Sequence, residues 1–145
     1  MNILSKTCQY AIRSLLYISQ SGSIDKKVSL KEIAEKLEIP APFLAKIMQQ
    51  LSKRQLVSSI KGPKGGFYLT DKEKMNSLLK IMEAIDGLDV FEMCGLGMKV
   101  CSPDKPCPIH HKVVKIHEIM RKSLASSTIK KLETELHNRN YTIMR

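Results

Sequence analysis

A mainly α-helical chain carrying a small β wing is predicted by three features of the sequence. Apolar residues recur at helical spacing in three successive segments before residue 54, and a glycine-rich hairpin pattern follows them. A last apolar stripe then runs from Ile109 to Leu136. With 145 residues, 43% of them apolar and 26% charged, the chain has room for one ordinary domain or two small modules, which excludes a large multidomain enzyme.

The first helix is expected at roughly 6 to 20, where Cys8, Ala11, Ile12, Leu15, Leu16 and Ile18 share a face and Gly22 stops the run. Ser29 and Glu32 form a possible capping box for a short second helix striped by Leu30, Ile33, Ala34 and Leu37, and Pro40 ends it. Pro42 suits the first turn of a third helix whose buried stripe is Leu44, Ile47, Met48 and Leu51. Leu56, Val57 and Ile60 then read as one strand and Phe67, Tyr68 and Leu69 as its partner, with Gly62, Pro63, Gly65 and Gly66 turning between them. Three helices and a hairpin in this order predict a winged helix-turn-helix, with the third helix in a DNA major groove and the hairpin against the backbone.

Charge supports an anionic partner. There are 24 Lys and Arg against 14 Asp and Glu, a net +10, and residues 1–75 hold 13 of the bases and only six of the acids. Residues 39 to 70 contain no acid but carry Lys46, Lys53, Arg54, Lys61 and Lys64. On the outer side of the third helix, Phe43 can touch a thymine methyl, Gln49 and Gln50 can read an adenine edge, and Lys46 can meet phosphate. Gly65 in the wing allows close backbone approach. No GxxxxGK[ST] run is present, which argues against an ATPase.

A further helix is expected over Met75 to Asp86, stopped by Gly87. The acidic interval Glu83, Asp86, Asp89 and Glu92 leads into a loop holding Cys94, Cys101 and Cys107, with His110 two residues beyond the last thiol and His111 beside it as the poorer candidate. Three thiolates and an imidazole suit either zinc or an iron-sulfur cluster. The intervals are wider than CxxC knuckles, which favours the cluster. Clustered thiols in a reducing compartment point to metal or redox chemistry and not to a disulfide frame. Cys101 and His110 lack a third orienting group, so a nucleophilic enzyme is not supported, and Cys8 reads as packing. Pro108 opens a helix expected to run about seven turns through Ile109, Val113, Ile116, Met120, Leu124, Leu132 and Leu136. Pairing with the same helix of a second copy would bury that stripe, and the alternative is that it folds onto its own domain.

The segments ILSKTCQYAIRSLLYI, LKEIAEKLEIPAPFLAKIMQQLSKRQLVSSIKGPKGGFYL and CGLGMKVCSPDKPCPIHHKV resemble the Rrf family of bacterial winged-helix transcriptional regulators, among them the iron-sulfur cluster regulator and the nitric-oxide-sensing repressor. The resemblance implies a homodimer with crossing long helices, binding to a palindromic promoter element, and a cluster that tunes DNA affinity. It matches Cys94, Cys101 and Cys107 to the cluster cysteines and His110 to the histidine that completes a [2Fe-2S] site; [4Fe-4S] is the second choice and zinc the third. Gln9 stands where the nitric-oxide repressors carry a carboxylate, and the first cysteine interval is one residue longer than the usual five.

Residues 1–75 are thus expected to bind DNA, and 76–145 to hold the sensor loop and the dimerisation helix. A thiol-redox regulator, or a basic protein that holds an acidic partner, are the alternatives. No apolar run approaches the roughly 20 residues that span a bilayer, and Gln9, Arg13, Ser14 and Ser19 interrupt the first helix, so a cytoplasmic protein without membrane contact is expected.

Overall fold

The computed structural model describes residues 3–144. Its first three helices are α1 (Lys6–Ser21), α2 (Leu30–Leu37) and α3 (Ala41–Lys53), followed by strands β1 (Ser58–Ile60) and β2 (Gly66–Tyr68). The cap of α2 departs from expectation. Ser29 Oγ accepts the Glu32 N–H at 3.1 Å, but the Glu32 carboxylate accepts from Tyr17 Oη at 2.8 Å, so the residue meant to complete the box ties α2 to α1 instead. All four stripe residues of α3 are at most 1% exposed, and each is worth about 1.5–3 kcal/mol as an upper bound.

The strands are shorter than the hairpin pattern predicts. Leu56, Val57 and Leu69 lie just outside the ladder and are buried in the core instead. The antiparallel register pairs Ser58 with Tyr68, Ser59 with Phe67 and Ile60 with Gly66. Val28 adds a bridge on the other side of Phe67, with N–H to O distances of 2.8 and 2.9 Å in the two directions, and this anchors the wing to the helical core.

The helix expected over Met75–Asp86 is present, shortened to Leu78–Ile85, and a separate single turn that the pattern did not predict precedes it. Thr70 and Glu73 form a complete capping box on the single turn α4 (Asp71–Lys74), and Ser77 caps α5 (Leu78–Ile85). Both caps satisfy N–H groups that a continuous helix would bond internally. A 3-10 turn, Asp89–Glu92, precedes the cysteine loop.

The expected seven-turn helix, by contrast, is two helices, α6 (His110–Ser126) and α7 (Ile129–Arg139). Thr128 accepts the Lys131 N–H at 3.2 Å and starts the second helix, while the Leu78 N–H donates to Ser127 O at 2.8 Å and the Ile129 N–H to Asn76 O at 3.2 Å. The chain is thereby pinned to the start of α5, and α7 turns back onto α1, burying Ile129 and Leu136. The lower part of the apolar stripe is therefore covered within the chain, and the unpartnered part belongs to α6, where Ile116 and Ile119 are 49% and 66% exposed. One apolar core includes residues from both sides of position 75.

Glu133 secures α7. It accepts from Ser19 Oγ at 2.8 Å and from Lys74 Nζ at 3.2 Å, with the pair only 16% and 21% exposed at their side chains. Glu133→Ala is expected to lower unfolding free energy by about 1–2 kcal/mol, discounted for the remaining solvent access, and a shifted urea midpoint at unchanged m-value would show it.

Candidate functional site

Two sets of residues are candidates. The first is the face made by α3 and the wing. Phe43, Lys46, Gln49, Gln50, Lys53, Arg54, Lys61 and Lys64 are all exposed, and among the described residues none of these five bases has a carboxylate within 4.0 Å. Uncompensated cations on one helix and the adjoining hairpin suit a phosphate backbone. The two elements enclose a cleft of about 580 Å³ lined by Gln49, Ser52, Ile60, Lys61 and Gly65. A Cβ on Gly65 would collide with the Ile60 carbonyl oxygen, so only glycine permits the turn in which the Gly65 N–H bonds Gly62 O at 2.9 Å.

Two members of this face are already engaged. Phe43 makes an edge contact with Tyr10, with ring centroids 5.8 Å apart. The Gln50 side-chain amide donates to the Ala84 carbonyl oxygen at 2.9 Å. Among the described residues Gln49 makes no such side-chain tie and lies in the cleft, which makes it the stronger candidate for base reading. Gln49→Ala is expected to narrow the affinity gap between the preferred duplex and a single-base variant by about 1–3 kcal/mol while leaving the salt dependence intact, measurable by anisotropy titration.

The second set is the cysteine loop. Cys94, Cys101 and Cys107 are free and half-buried, and His110 is 8% exposed as the first residue of α6. The histidine N–H bonds Cys107 O at 3.0 Å, which fixes the loop to the helix start, and His110 Nδ1 lies 3.1 Å from Cys101 Sγ. His111 is exposed, its ring 5.3 Å from that of His110. The Leu96 and Met98 N–H groups point at the Cys94 thiol and hold it below the usual thiol range, opposed by partial burial and helped by the Cys107 side chain. Burial pushes the Cys101 thiol up, and the neighbouring Cys94, Cys107 and Glu92 act the same way. Gly95 seats the loop: a Cβ there would come within 2.5 Å of Val113 Cγ2 on α6.

The four candidate ligands thus share one loop and helix start, with soft thiols and an imidazole whose chemistry suits an iron-sulfur cluster or zinc. Among the described residues, no group of three or more His, Cys, Asp or Glu side chains makes a ready cage for a metal ion. Cys8 and Gln9 lie elsewhere. Cys8 is fully buried, its thiol pushed up to about 12 by burial and by Asp86. Gln9 donates to Leu4 O at 3.0 Å and lines an apolar groove of about 500 Å³ with Ile3, Ile119 and Met120, beside the second half of α6.

Sequence reasoning missed the brace beneath the loop. Phe91 of the 3-10 turn is buried, its carbonyl oxygen 3.0 Å from His117 Nδ1, with the Arg121 guanidinium 5.8 Å from its ring. The spacing of His117 and Arg121, four apart on a helix, was the available signal, but nothing in the sequence marks Phe91 as their partner.

Among the described residues no helix is long and apolar enough to cross a membrane. A family model described as Rrf2, iron-dependent transcriptional regulator, matches residues 4–135. A proposed HTH-type transcriptional regulator of Aquifex aeolicus (strain VF5) is 39% identical over 132 residues, covering 90% of each chain. Among solved structures, CymR, the global cysteine regulator of B. subtilis, aligns with a TM-score of 0.74 at 20% identity, over 92% of this chain and 98% of its own. IscR of T. potens aligns with a TM-score of 0.73 at 20% identity, over 97% and 93%. At that identity the two structures show the shared fold, a helical body with a two-stranded wing and a long helix near the C-terminus. The family match runs from the first helix into the last, and the Aquifex relative aligns across nine-tenths of both sequences. The chain accordingly belongs to the Rrf2 family of DNA-binding transcriptional regulators, which is regulatory and not catalytic.

Proposed function

We propose that this regulator acts as a homodimer on a palindromic promoter element and that an iron-sulfur cluster, [2Fe-2S] in form, sets its DNA affinity. The observation that carries the reading is the buried His110 imidazole, 3.1 Å from the Cys101 sulfur at the point where the loop enters α6. Cys94, Cys101, Cys107 and His110 would hold the cluster. Such a group supplies a reversible one-electron centre and a target for oxidants and nitric oxide.

The chain's own residues supply the rest. Lys46, Lys53, Arg54, Lys61 and Lys64 meet phosphates, Phe43 and Gln49 face bases, and the Gly65 turn lets the wing approach the backbone. The exposed stripe on α6 and the apolar groove beside it are the surface for the second copy, which places two recognition helices on one face of the duplex. Residues 1–75 are the DNA-binding half and 76–145 the sensing and pairing half, built on the shared core. A cluster-bound dimer and a cluster-free dimer that hold their recognition helices differently differ in operator affinity by that amount of coupling.

Anaerobic purification followed by a visible spectrum and iron, sulfide and zinc analysis tests the cofactor. Iron and acid-labile sulfide in equal amounts support it. One zinc per chain without iron would replace the cluster by a structural ion, and a colourless metal-free protein with reduced thiols would leave a thiol-redox regulator. A gel shift comparing a palindromic promoter fragment with scrambled DNA tests the partner, and equal, salt-sensitive binding to both would reduce the molecule to a basic protein holding polyanions.

A further inference from the structure

Gln50 lies on the outer face of α3, yet its side chain reaches back into the molecule to the Ala84 carbonyl oxygen. That oxygen belongs to the last turn of α5, where helix geometry leaves carbonyls without intrahelical donors. Its neighbours are served by the backbone: the Asp86 N–H donates to Met82 O at 2.8 Å and the Gly87 N–H to Glu83 O at 3.2 Å. Ala84 is buried, so Gln50 supplies the donor that water does not. Gly87 follows with φ at +74° and turns the chain toward the 3-10 turn and the cysteine loop. On its other flank the Asp86 carboxylate accepts from the Ser5 N–H at 3.0 Å and from the Ser5 hydroxyl, which is the cap of α1. The end of α5 is therefore a junction where polar contacts hold the recognition helix and the first helix, and from which the chain runs on through the 3-10 turn into the cysteine loop. Reading an adenine edge takes both ends of a glutamine amide presented outward together, and this amide is turned back to the Ala84 carbonyl oxygen.

We propose that Gln50 is a positioning residue that couples the cysteine loop to the recognition helix, in place of a role in base reading. This rests on the reading that the state of the loop and DNA affinity are linked. Linkage is reciprocal, so DNA bound at α3 must alter the loop as much as the loop alters binding. Motion at either end reaches the other through the α3 contact with the α5 terminus, and an apolar side chain at position 50 would fill the space without making that contact.

The test uses the full chain, reduced and metal-free, and a duplex selected from a random library with the wild-type protein. Iodoacetamide alkylation of Cys94, Cys101 and Cys107 is followed by mass spectrometry with and without duplex at concentrations that saturate each variant. The buried Cys8 reports any unfolding. In the wild type, DNA is expected to change the loop alkylation rates by about fivefold or more. In Gln50→Met the rates are expected to be the same with and without DNA. A wild-type loop indifferent to DNA would overturn the proposal, and so would a Gln50→Met protein that keeps the full DNA response, above all if its base preference has relaxed. Should Gln50→Met expose Cys8, Gln50→Glu, which also lacks the donor, is judged by the same two outcomes. Because no metal enters the assay, failure of the cluster reading in metal analysis and failure of the coupling in this experiment are seen separately.

Discussion

Iron loading in His110→Ala is expected to fall from about two iron atoms per chain to below about half an atom after anaerobic reconstitution, with loss of the visible bands. The imidazole is the nitrogen donor set beside the thiols, and its position is fixed twice, by the N–H bond to Cys107 and by its burial at the head of α6. Alanine keeps the helix start, since its N–H can still bond Cys107 O, so the fold should lose no more than about 1–3 kcal/mol. Circular dichroism and urea unfolding check that the loss of iron is not a loss of structure. Cys101→Ser should give the same result by removing the sulfur that faces the ring. A His110→Ala protein with the wild-type spectrum and iron content would remove His110 from the ligand set.

The second large effect is electrostatic. In a dimer, the combined change Lys46→Ala, Lys61→Ala and Lys64→Ala removes six cations from the DNA-facing surfaces. The slope of log K against log salt should flatten by about five, since each phosphate contact contributes about 0.9. Affinity should drop by about a hundredfold or more at moderate salt, and by the same factor for preferred and scrambled duplexes, because phosphate contacts position the protein without reading sequence. Removing Lys130, Lys131 and Arg139 from α7 subtracts the same charge far along the chain and should leave the slope near its original value. Equal flattening by both sets would mean that net charge alone, and not the helix and wing, attracts the duplex.

The helices and wing of residues 1–75 were legible because their signals are local. A stripe of apolar residues every three or four positions has one burial solution, and all four stripe residues of α3 are buried as that pattern requires. The cysteine and histidine spacing gathered the candidate ligands in one loop for the same reason. What the pattern could not show was partnership between distant residues. Periodicity continued smoothly from Ile109 to Leu136, but the Ser126–Thr128 run offered a cap, and the backbone of Asn76 and Leu78 stood ready to bond it. Glu32 looked like a capping residue until Tyr17 was brought beside it, and Gln50 looked like a free amide until the end of α5 supplied an acceptor. In each case a short-range preference was decided by a hydrogen-bonding group supplied from far along the chain.

The contact between His117 and the Phe91 carbonyl also has a mechanical meaning. It props α6 part of the way along, so the helix is a rod on a fulcrum with one arm reaching to Ser127 and the other to His110. At the usual helical rise the arms are about 15 Å and about 10 Å long. A tilt about the prop moves the two ends in opposite senses, and a displacement at the pinned Ser127 end arrives at His110 reversed and reduced by about a third. Any such tilt would link the root of α5 to the cysteine loop, with a sign and a gain set by where the prop stands along the helix.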